Sequence, residues 1–521
     1  MSQKLTAIAC SILWSGAMLA QTDTNAVPGE WPIAGQNLSN SRGRVGEQQI
    51  GTSNVGQLVT RWVFETGADV SATPTVAGNT VYFPDWAGNL FAVNAETGEL
   101  RWSHQISAYN GRPGSVSRVS PAVFENELII GDNVRSSMEH DGAHVLAVDR
   151  DSGKLLWITQ VDAHPAAVIT GSPVFNGSVV YVGVSSNEEG LASDANYVCC
   201  TFRGSMVALN ASTGAVLWKT FVVPDNKGQP NAYSGGAIWQ PPAIDPLRGS
   251  LFIGTGNNYT VPKSVLDCQQ AAVAAGNPNA VCTSPDDHFD AALALDLNTG
   301  AIKWATGVMA FDAWTVACIR SLTATNCPEP SGPDFDLGGS GPNLLANMVG
   351  FGQKSGAYWA LNPDNGKVLW ATKVGPGSTL GGIEWGTATD GLRIYVAVTN
   401  ASHVTFSLPG GAPTSAGTWA ALDAATGRMV WQIADPKGAI DMGSLSVANG
   451  VLYAPSFSGF VYGLEALTGK ILFQYDTGGS VIDGPSIVDG SVYWGSGYQH
   501  ISPGVGNNKV FAFNLPAGNG Q

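Results

Sequence analysis

The sequence predicts an all-β fold, a closed eight-bladed β-propeller built from four-stranded antiparallel sheets. Composition is the first reason: of 521 residues, 44% are hydrophobic and only 12% charged, with 65 glycines and 16 tryptophans. Such a chain can bury a large core, and its residue types favour strands joined by tight turns. The second reason is that one short motif recurs along almost the whole chain, with strand-like segments before several copies.

The recurring motif reads Ala, any residue, Asp or Asn, three residues, Gly, three residues and Trp, as in ALNASTGAVLW. Gly after Thr or Ser permits the positive φ of a tight turn between two strands. Upstream segments such as GSPVFNGSVVYVG indicate two more strands with a turn between them. Each unit is therefore a four-stranded sheet, and radial packing lets neighbouring sheets cover each other. The copies end at Trp102, Trp157, Trp218, Trp304, Trp370, Trp431 and Phe473.

The two ends of the chain are expected to complete the ring. A degenerate copy, FAFNLPAG, lies near Phe511, and Trp62 in RWVFETG stands in the place of its missing last strand. Pairing of that N-terminal strand with the final unit would remove an exposed sheet edge. The recurrent tryptophans are expected to pack between blades, each burying roughly 200 Å², and are excluded from any active site. Insertions between residues 103 and 430 should gather on one face, where ligands bind.

The N-terminus is typical of an export signal. Lys4 precedes an apolar run from Leu5 to Ala20, so residues 1–20 are predicted to be a signal peptide and 21–521 a single propeller domain. A membrane anchor is the alternative, but about 16 residues fall short of the roughly 20 that span a bilayer. We expect a periplasmic or secreted protein without a membrane span in the mature chain. Its net charge of −15 argues against binding nucleic acid or an acidic membrane surface.

Six cysteines follow the predicted signal, an even number that indicates disulfide bonds in an exported protein. The favoured pairs are Cys268 with Cys282, Cys318 with Cys327, and the adjacent Cys199 with Cys200. Other pairings are possible, so the sequence leaves the connectivity open. None of the cysteines lies in a C-x-x-C-H motif, so the chain encodes no covalent haem attachment.

The tryptophan repeat resembles the propeller of the pyrroloquinoline quinone (PQQ) dependent alcohol dehydrogenases, although non-enzymatic propellers that assist outer-membrane protein assembly share it. Segments between the repeats are more specific. SSNEEG at 185–190 resembles the family's S-x-x-E-x-G, which implies that Glu188 binds calcium, with Glu189 as the alternative ligand. The stretch from IWQPP to GTGN resembles a second family segment, which implies Trp239 as the floor beneath the quinone and Asn257 as a calcium ligand.

Two further segments extend the resemblance. AFDAWT at 310–315 resembles the family's x-x-D-x-W-D motif, which implies that Asp312 is the catalytic base and lies at the metal. GQKSG implies that Lys354 touches the quinone, and weaker matches imply cofactor contacts for Arg118 and Thr170. The phrases CCTFRGSMVALN, GQKSG and GGIEWG resemble the polyvinyl-alcohol dehydrogenase branch.

One feature departs from the family pattern. In the methanol and ethanol enzymes a vicinal cysteine pair covers the quinone, whereas Arg112–Pro113 stand at that place here. The adjacent cysteines, Cys199 and Cys200, come one unit later, so the sequence leaves open whether they cover the cofactor.

The chemistry suits these residue types independently of the resemblance. Calcium prefers oxygen ligands, such as Glu carboxylates and Asn carbonyls, and acts as a Lewis acid on a quinone carbonyl. A nearby carboxylate can accept the proton of an alcohol. A flat quinone fits against an indole ring, and its carboxylates suit Arg118 and Lys354. Each residue also has a structural alternative: Asp312 and Asn257 are common turn residues, and Lys354 or the Glu188–Glu189 pair could simply be solvated.

The sequence therefore predicts an exported, calcium- and PQQ-dependent alcohol dehydrogenase. Its substrate is expected to be an alcohol, such as the secondary alcohols of polyvinyl alcohol or another bulky molecule. Because the chain lacks a haem motif, the electrons are expected to pass to a separate soluble cytochrome c or similar acceptor. The alternative is a non-catalytic propeller scaffold for outer-membrane protein assembly, which would need none of Trp239, Asn257 and Asp312.

Overall fold

Each repeat folds into one blade of an eight-bladed β-propeller, which confirms the predicted fold class. The computed structural model describes residues 29–134 and 141–516, so the predicted signal peptide, 1–20, lies outside the described residues. Within those ranges, no helix is both long enough and apolar enough to cross a bilayer.

Each blade consists of four antiparallel strands, and the fourth strand alternates between buried and exposed residues. Blade 1 contains Thr75–Ala77, Thr80–Pro84, Asn89–Asn94 and Leu100–Gln105. Blade 2 contains Ala122–Phe124, Glu127–Gly131, Ala143–Asp149 and Leu155–Asp162. Blade 3 contains Val174–Asn176, Val179–Ser186, Ser205–Asn210 and Val216–Phe221, and blade 4 contains Ala243–Asp245, Ser250–Gly254, Ala291–Asp296 and Ile302–Gly307.

The remaining blades repeat this pattern, and both ends of the chain meet in the last one. Blade 5 contains Asn343–Leu345, Met348–Gly352, Ala357–Leu361 and Val368–Lys373. Blade 6 contains Ala388–Thr389, Arg393–Val398, Thr418–Asp423 and Met429–Ala434, and blade 7 contains Ser446–Ala448, Val451–Pro455, Phe460–Glu465 and Ile471–Asp476. Blade 8 contains Ser486–Val488, Ser491–Ser496, Lys509–Asn514 and the N-terminal strand Val59–Glu65.

The N-terminal strand of blade 8 closes the ring as the sequence predicted. It pairs antiparallel with Lys509–Asn514, from Val59 opposite Asn514 to Glu65 opposite Lys509. A second N-terminal segment, Gly43–Arg44, adds a short parallel pairing to the first strand of blade 7. Both contacts tie residues near the start of the chain to blades made near its end.

The recurrent tryptophans pack between blades, as expected, and each indole N–H donates to a backbone carbonyl of the following blade. Trp157 Nε1, for example, lies 2.7 Å from the carbonyl oxygen of Ala211. The glycine of the motif is required by this packing: Gly214 has a φ of 70°, and a Cβ added there would lie 2.4 Å from the Trp157 ring. The motif thus encodes a blade interface rather than a ligand site.

Short elements occupy the connections. The helices are Ile106–Asn110, Glu188–Leu191, Lys263–Ala274 and Ala317–Arg320, with 3-10 turns at Val55–Gln57 and Gly338–Ser340. The minor strands are Ser115–Val116, Asn133–Val134, Ala167–Val168, Ser234–Gly235, Asn258–Thr260, Phe406–Ser407 and Pro413–Thr414. The disulfides join Cys199 to Cys200, Cys268 to Cys282, and Cys318 to Cys327, which are the favoured pairs.

Strand direction decides which connections share a face. Because the strands of a blade alternate in direction, connections from the second to the third strand emerge on the same face as those leading to the next blade. We call this the upper face. Bare blades have short connections there, such as residues 85–88 of blade 1, whereas blade 6 carries residues 399–417. The insertions predicted from the uneven repeat spacing therefore include a long one on the upper face.

Candidate active site

A cavity of about 210 Å³ opens among these upper-face connections. Its charged and polar walls include Arg118, Thr170, Glu189, Asn257, Asp336, Lys354 and Glu384. Its aromatic walls include Trp239, Tyr259 and Trp385. Five of the residues that the sequence singled out are thereby brought together: Arg118, Thr170, Trp239, Asn257 and Lys354.

The topology of the propeller explains this convergence. Three of the polar residues follow the second strands of blades 3, 4 and 5, namely Glu189, Asn257 and Lys354. The others lie in five successive connections between blades, beginning with the one from blade 1 to blade 2: Arg118, Thr170, Trp239, Asp336 and Glu384. Residues far apart in sequence meet because each blade contributes its upper connections to the same central opening.

Glu188 and Glu189 begin one short helix but have different surroundings. The Glu188 carboxylate is fully buried and accepts hydrogen bonds from the backbone N–H groups of Thr201 and Phe202 and from the hydroxyl of Tyr197. It therefore holds the chain around the adjacent cysteines and does not line the cavity. Glu189, the alternative kept open by the sequence, lines the cavity, and its Oε1 is buried without a hydrogen-bond partner.

The side chain of Asn257 is fixed in orientation. Its Nδ2 donates to the backbone carbonyls of Asn258 and Trp314, each at 2.9 Å. Both amide hydrogens are thereby used, which leaves Oδ1 as the group available to a ligand. This arrangement suits an amide that coordinates a hard cation through oxygen.

Asp312, the base implied by the sequence, does not line the cavity. It is fully buried, and its carboxylate accepts hydrogen bonds from the backbone N–H groups of Asp334 at 3.1 Å and Phe335 at 2.6 Å. Burial raises the pKa of Asp312 to about 6, against the opposing effect of these two N–H groups. The geometry therefore gives Asp312 a supporting place beneath the segment that carries Asp336.

Asp336 is the carboxylate of that segment that lines the cavity. Its Oδ1 accepts a hydrogen bond from the backbone N–H of Asn257 at 2.7 Å, and its Oδ2 lies 3.1 Å from Lys354 Nζ. Sequence reasoning missed this residue, although a signal is visible. The family motif x-x-D-x-W-D ends in Trp and Asp, whereas AFDAWT has Thr315 in place of that Asp, and Phe335–Asp336 supplies an aromatic residue followed by Asp further along the same connection.

Lys354 is a buried cation surrounded by acidic groups. Its Nζ lies 2.9 Å from Asp334 Oδ1, and 5.8 Å from the centre of the Trp239 ring. Burial opposes the charge of Lys354, but Asp334 and Asp336 outweigh burial and raise its pKa above the ordinary value. This lysine is therefore charged and is held over the indole face.

Burial raises the pKa values of two other carboxyls of the cavity, those of Glu189 and Glu384. Burial raises the pKa of Glu189 to about 8, and Asp336 and Asp312 add to this rise while Lys354 opposes it. Burial likewise raises the pKa of Glu384 to about 7. A further cation in the cavity would reverse these shifts by stabilising the ionised carboxylates.

Two indoles and a guanidinium form the other side of the cavity. Trp239 meets Trp385 edge to face, with ring centres 5.3 Å apart, and Arg118 lies 4.4 Å from the centre of the Trp385 ring. Trp385 has a φ of 54°, a region that bulky residues seldom adopt. Thr170 Oγ1 lies 3.4 Å from the backbone oxygen of Trp239. Glu384 and Trp385 belong to GGIEWG, a segment that carried the family resemblance without a role for either residue, and Tyr259 is a cavity residue that sequence reasoning did not single out.

The vicinal cysteines do not line this cavity. Cys200 is fully buried and Cys199 nearly so, behind the residues that Glu188 holds in place. The pair lies in the same connection of blade 3 as Glu189, between strands Val179–Ser186 and Ser205–Asn210.

The residues present fit a hard cation and a planar anionic cofactor. Three buried polar atoms of cavity residues lack a hydrogen-bond partner, namely Glu189 Oε1, Glu384 Oε1 and Trp385 Nε1. Across the described ranges, no three His, Cys, Asp or Glu side chains form a metal-binding group of their own. A cation held here would therefore need Asn257 and oxygen atoms of the cofactor as well as carboxylates.

Comparisons with known proteins agree with this architecture. A family model described as outer membrane protein assembly factor BamB matches residues 60–306 and 415–519. The solved quinohemoprotein alcohol dehydrogenase of Pseudomonas putida HK5 superimposes with a TM-score of 0.69 at 19% identity, covering 95% of this chain and 82% of that chain. At this level of identity the likeness establishes the shared fold.

Curated relatives give the more specific match. The polyvinylalcohol dehydrogenase of Sphingopyxis sp. is 32% identical over 88% of this chain and 71% of its own length. The polyvinylalcohol dehydrogenase of a Pseudomonas species is 30% identical over 91% of this chain and 74% of its own length. With this extent of similarity and the propeller fold, the chain belongs to the PQQ-dependent alcohol dehydrogenase family and is an oxidoreductase similar to the polyvinylalcohol dehydrogenases.

Proposed function

We propose that this protein oxidises secondary alcohols with PQQ and a calcium ion bound in the upper-face cavity. The observation that carries the proposal is the convergence of Glu189, Asn257, Asp336 and Lys354 around one opening beside the Trp239 ring. Oxygen donors for a hard cation, a carboxylate for proton transfer and an aromatic face for a flat cofactor are thus close together.

The roles of the residues follow from their contacts. Glu189 and Asn257 would hold the calcium ion through their oxygen atoms, and Trp239 would lie against the ring system of PQQ. Arg118, Lys354 and Thr170 would bind its carboxylates and carbonyl oxygens. When bound, PQQ supplies the redox chemistry, and the cation supplies Lewis acidity.

In this proposal Asp336 accepts the hydroxyl proton of the alcohol, the role that the sequence assigned to Asp312. The backbone N–H of Asn257 orients one carboxylate oxygen, and Lys354 Nζ contacts the other. Asp312 acts as a positioning residue through the backbone of 334 and 335. In this proposal Glu188 is not a metal ligand and has a structural role.

The choice of alcohol rests on the curated relatives, whose names give polyvinyl alcohol as their substrate. We propose polyvinyl alcohol or a comparable secondary alcohol as the substrate of this chain. The electrons would pass to a separate soluble cytochrome c or similar acceptor, and the protein would act in the periplasm or outside the cell.

The test uses mature protein loaded with PQQ and calcium, with an artificial electron acceptor. Asp336→Asn should lower kcat by about 10²- to 10⁴-fold, the usual contribution of a general base, while PQQ still quenches tryptophan fluorescence. Asp312→Asn should lose less activity and more thermal stability. Full activity in Asp336→Asn with none in Asp312→Asn would return the role of base to Asp312. Absence of any PQQ- and calcium-dependent stabilisation or activity would instead favour a non-catalytic scaffold.

A further inference from the structure

We infer that a second groove, between the outer strand of blade 6 and the upper-face insertion of that blade, binds the part of a polymeric alcohol that extends beyond the reacting hydroxyl. This inference rests on the proposed function and specifies how the substrate is held. The groove has a volume of about 540 Å³ and lies between blades 5 and 6. Its lining includes Val374, Pro376, Phe406, Leu408, Met429 and Gln432.

One wall of the groove is an addition to the propeller. It comes from residues 399–417 of blade 6, which contain the hairpin Phe406–Ser407 and Pro413–Thr414. The corresponding connections of blades 1 and 7 are residues 85–88 and 456–459. Since those blades fold with a short connection, the inserted wall is not needed to build a blade. Its apolar residues are partly exposed, including Val404 at 46%.

One connection of the chain contributes to both the groove and the cavity. The connection from blade 5 to blade 6 lines the groove with residues 374–376 and the cavity with Leu380 and Glu384. Leu380 follows Gly375 by five positions, so these two lining residues lie within about 17 Å of each other. Lys373 of the groove donates to the backbone oxygen of Ser355, the neighbour of Lys354.

The chemistry of the groove fits a chain of alternating methylene and hydroxyl-bearing carbons. Apolar side chains can cover the carbon backbone of such a polymer. Gln432 Nε2 donates to the backbone oxygen of Val374 and to Thr418 Oγ1, both at 2.9 Å. Its carbonyl oxygen is thereby left to accept from a hydroxyl. The hydroxyl of Ser407, also in the lining, is exposed.

The test compares a long polymer with a short secondary alcohol. In Leu408→Ala and in Phe406→Ala, KM for polyvinyl alcohol should rise by at least about fivefold, because buried apolar contact area is lost. The kcat and KM for pentane-2,4-diol should stay unchanged. Leu392→Ala is the matched control, since Leu392 is 63% exposed in the turn between the first two strands of blade 6, on the opposite face. It should alter neither substrate.

A second measurement does not need catalysis. Native electrophoresis through gels that contain polyvinyl alcohol should retard the wild-type protein and the Leu392→Ala variant, and should retard Phe406→Ala less. If all variants were retarded equally, or none were retarded, the groove would not be the binding site for the polymer, even if the short alcohol is oxidised. Failure to oxidise either alcohol, with retardation that depends on Phe406, would overturn the proposed function and keep the groove as a binding site.

Discussion

Replacing Glu189 by glutamine should stabilise the metal-free protein at neutral pH. Burial raises the pKa of Glu189 from an ordinary 4.5 to about 8. When folding raises the pKa of a carboxyl, the protein loses stability as the pH rises from the pKa in the unfolded chain to the pKa in the folded protein. Between pH 4.5 and 7 that loss is about 3 kcal/mol, at 1.36 kcal/mol per pH unit. Glutamine does not titrate, so Glu189→Gln should avoid it.

The assay is thermal unfolding of apoprotein at pH 5 and pH 7, with and without calcium and PQQ. For a domain of roughly 480 residues, unfolding entropy near 1 kcal/mol/K converts 3 kcal/mol into about 3 °C. Glu189→Gln should therefore unfold about 3 °C above wild type at pH 7 and about equally at pH 5. Calcium with PQQ should raise the Tm of wild type by mass action and should have little effect on Glu189→Gln.

Glu188→Gln is the matched control. Glutamine cannot accept all the hydrogen bonds that the Glu188 carboxylate receives from Thr201, Phe202 and Tyr197, so this variant should unfold about 2 to 3 °C earlier, given roughly 1.5–3 kcal/mol per charge-assisted bond. Its response to calcium and PQQ should remain. The reasoning is refuted if Glu188→Gln loses that response while Glu189→Gln keeps it.

Three other changes test the cavity and its frame. Lys354→Met should weaken PQQ binding at least tenfold in a fluorescence titration, because it removes the cation beside Asp334 and Asp336; unchanged binding would contradict its assignment. Chelation of calcium should abolish dye-linked activity, and added calcium should restore it. Trp157→Ala should lower the free energy of unfolding by about 3–5 kcal/mol in denaturant titrations with little change in KM; a selective KM effect would place Trp157 in the site.

The fold was predictable because its information is local and repeated. The turn glycine and the tryptophan of most units appear in the sequence at fixed spacing, and the structure brings the two together at the blade interfaces that have both, as Gly214 and Trp157 illustrate. Even ring closure could be anticipated, since Trp62 stood without a unit of its own. Periodicity of this kind needs no knowledge of tertiary contacts.

The site was predictable only in part. Trp239, Asn257 and Lys354 lie in the upper connections of consecutive blades and do line the cavity. Sequence could not separate Glu188 from Glu189, because adjacent residues at the start of a short helix point in different directions. It singled out Asp312 and did not consider Asp336, because the long connection between blades 4 and 5 contains both and only its path shows that Asp336 lines the cavity.

The pairing of Val59–Glu65 with Lys509–Asn514 has a consequence for how the molecule can be made. The two ends of the described chain also approach one turn of blade 8, since a Cβ added to Gly29 would lie 2.8 Å from Asp489 Oδ2 and Asn514 Nδ2 donates to the backbone oxygen of Gly490, so a short peptide could join them. New termini could then be opened in an exposed strand-to-strand turn elsewhere, such as that around Gly249. Such a permuted protein should retain its fold, whereas deletion of either terminal strand should leave a sheet edge unpaired and lead to self-association.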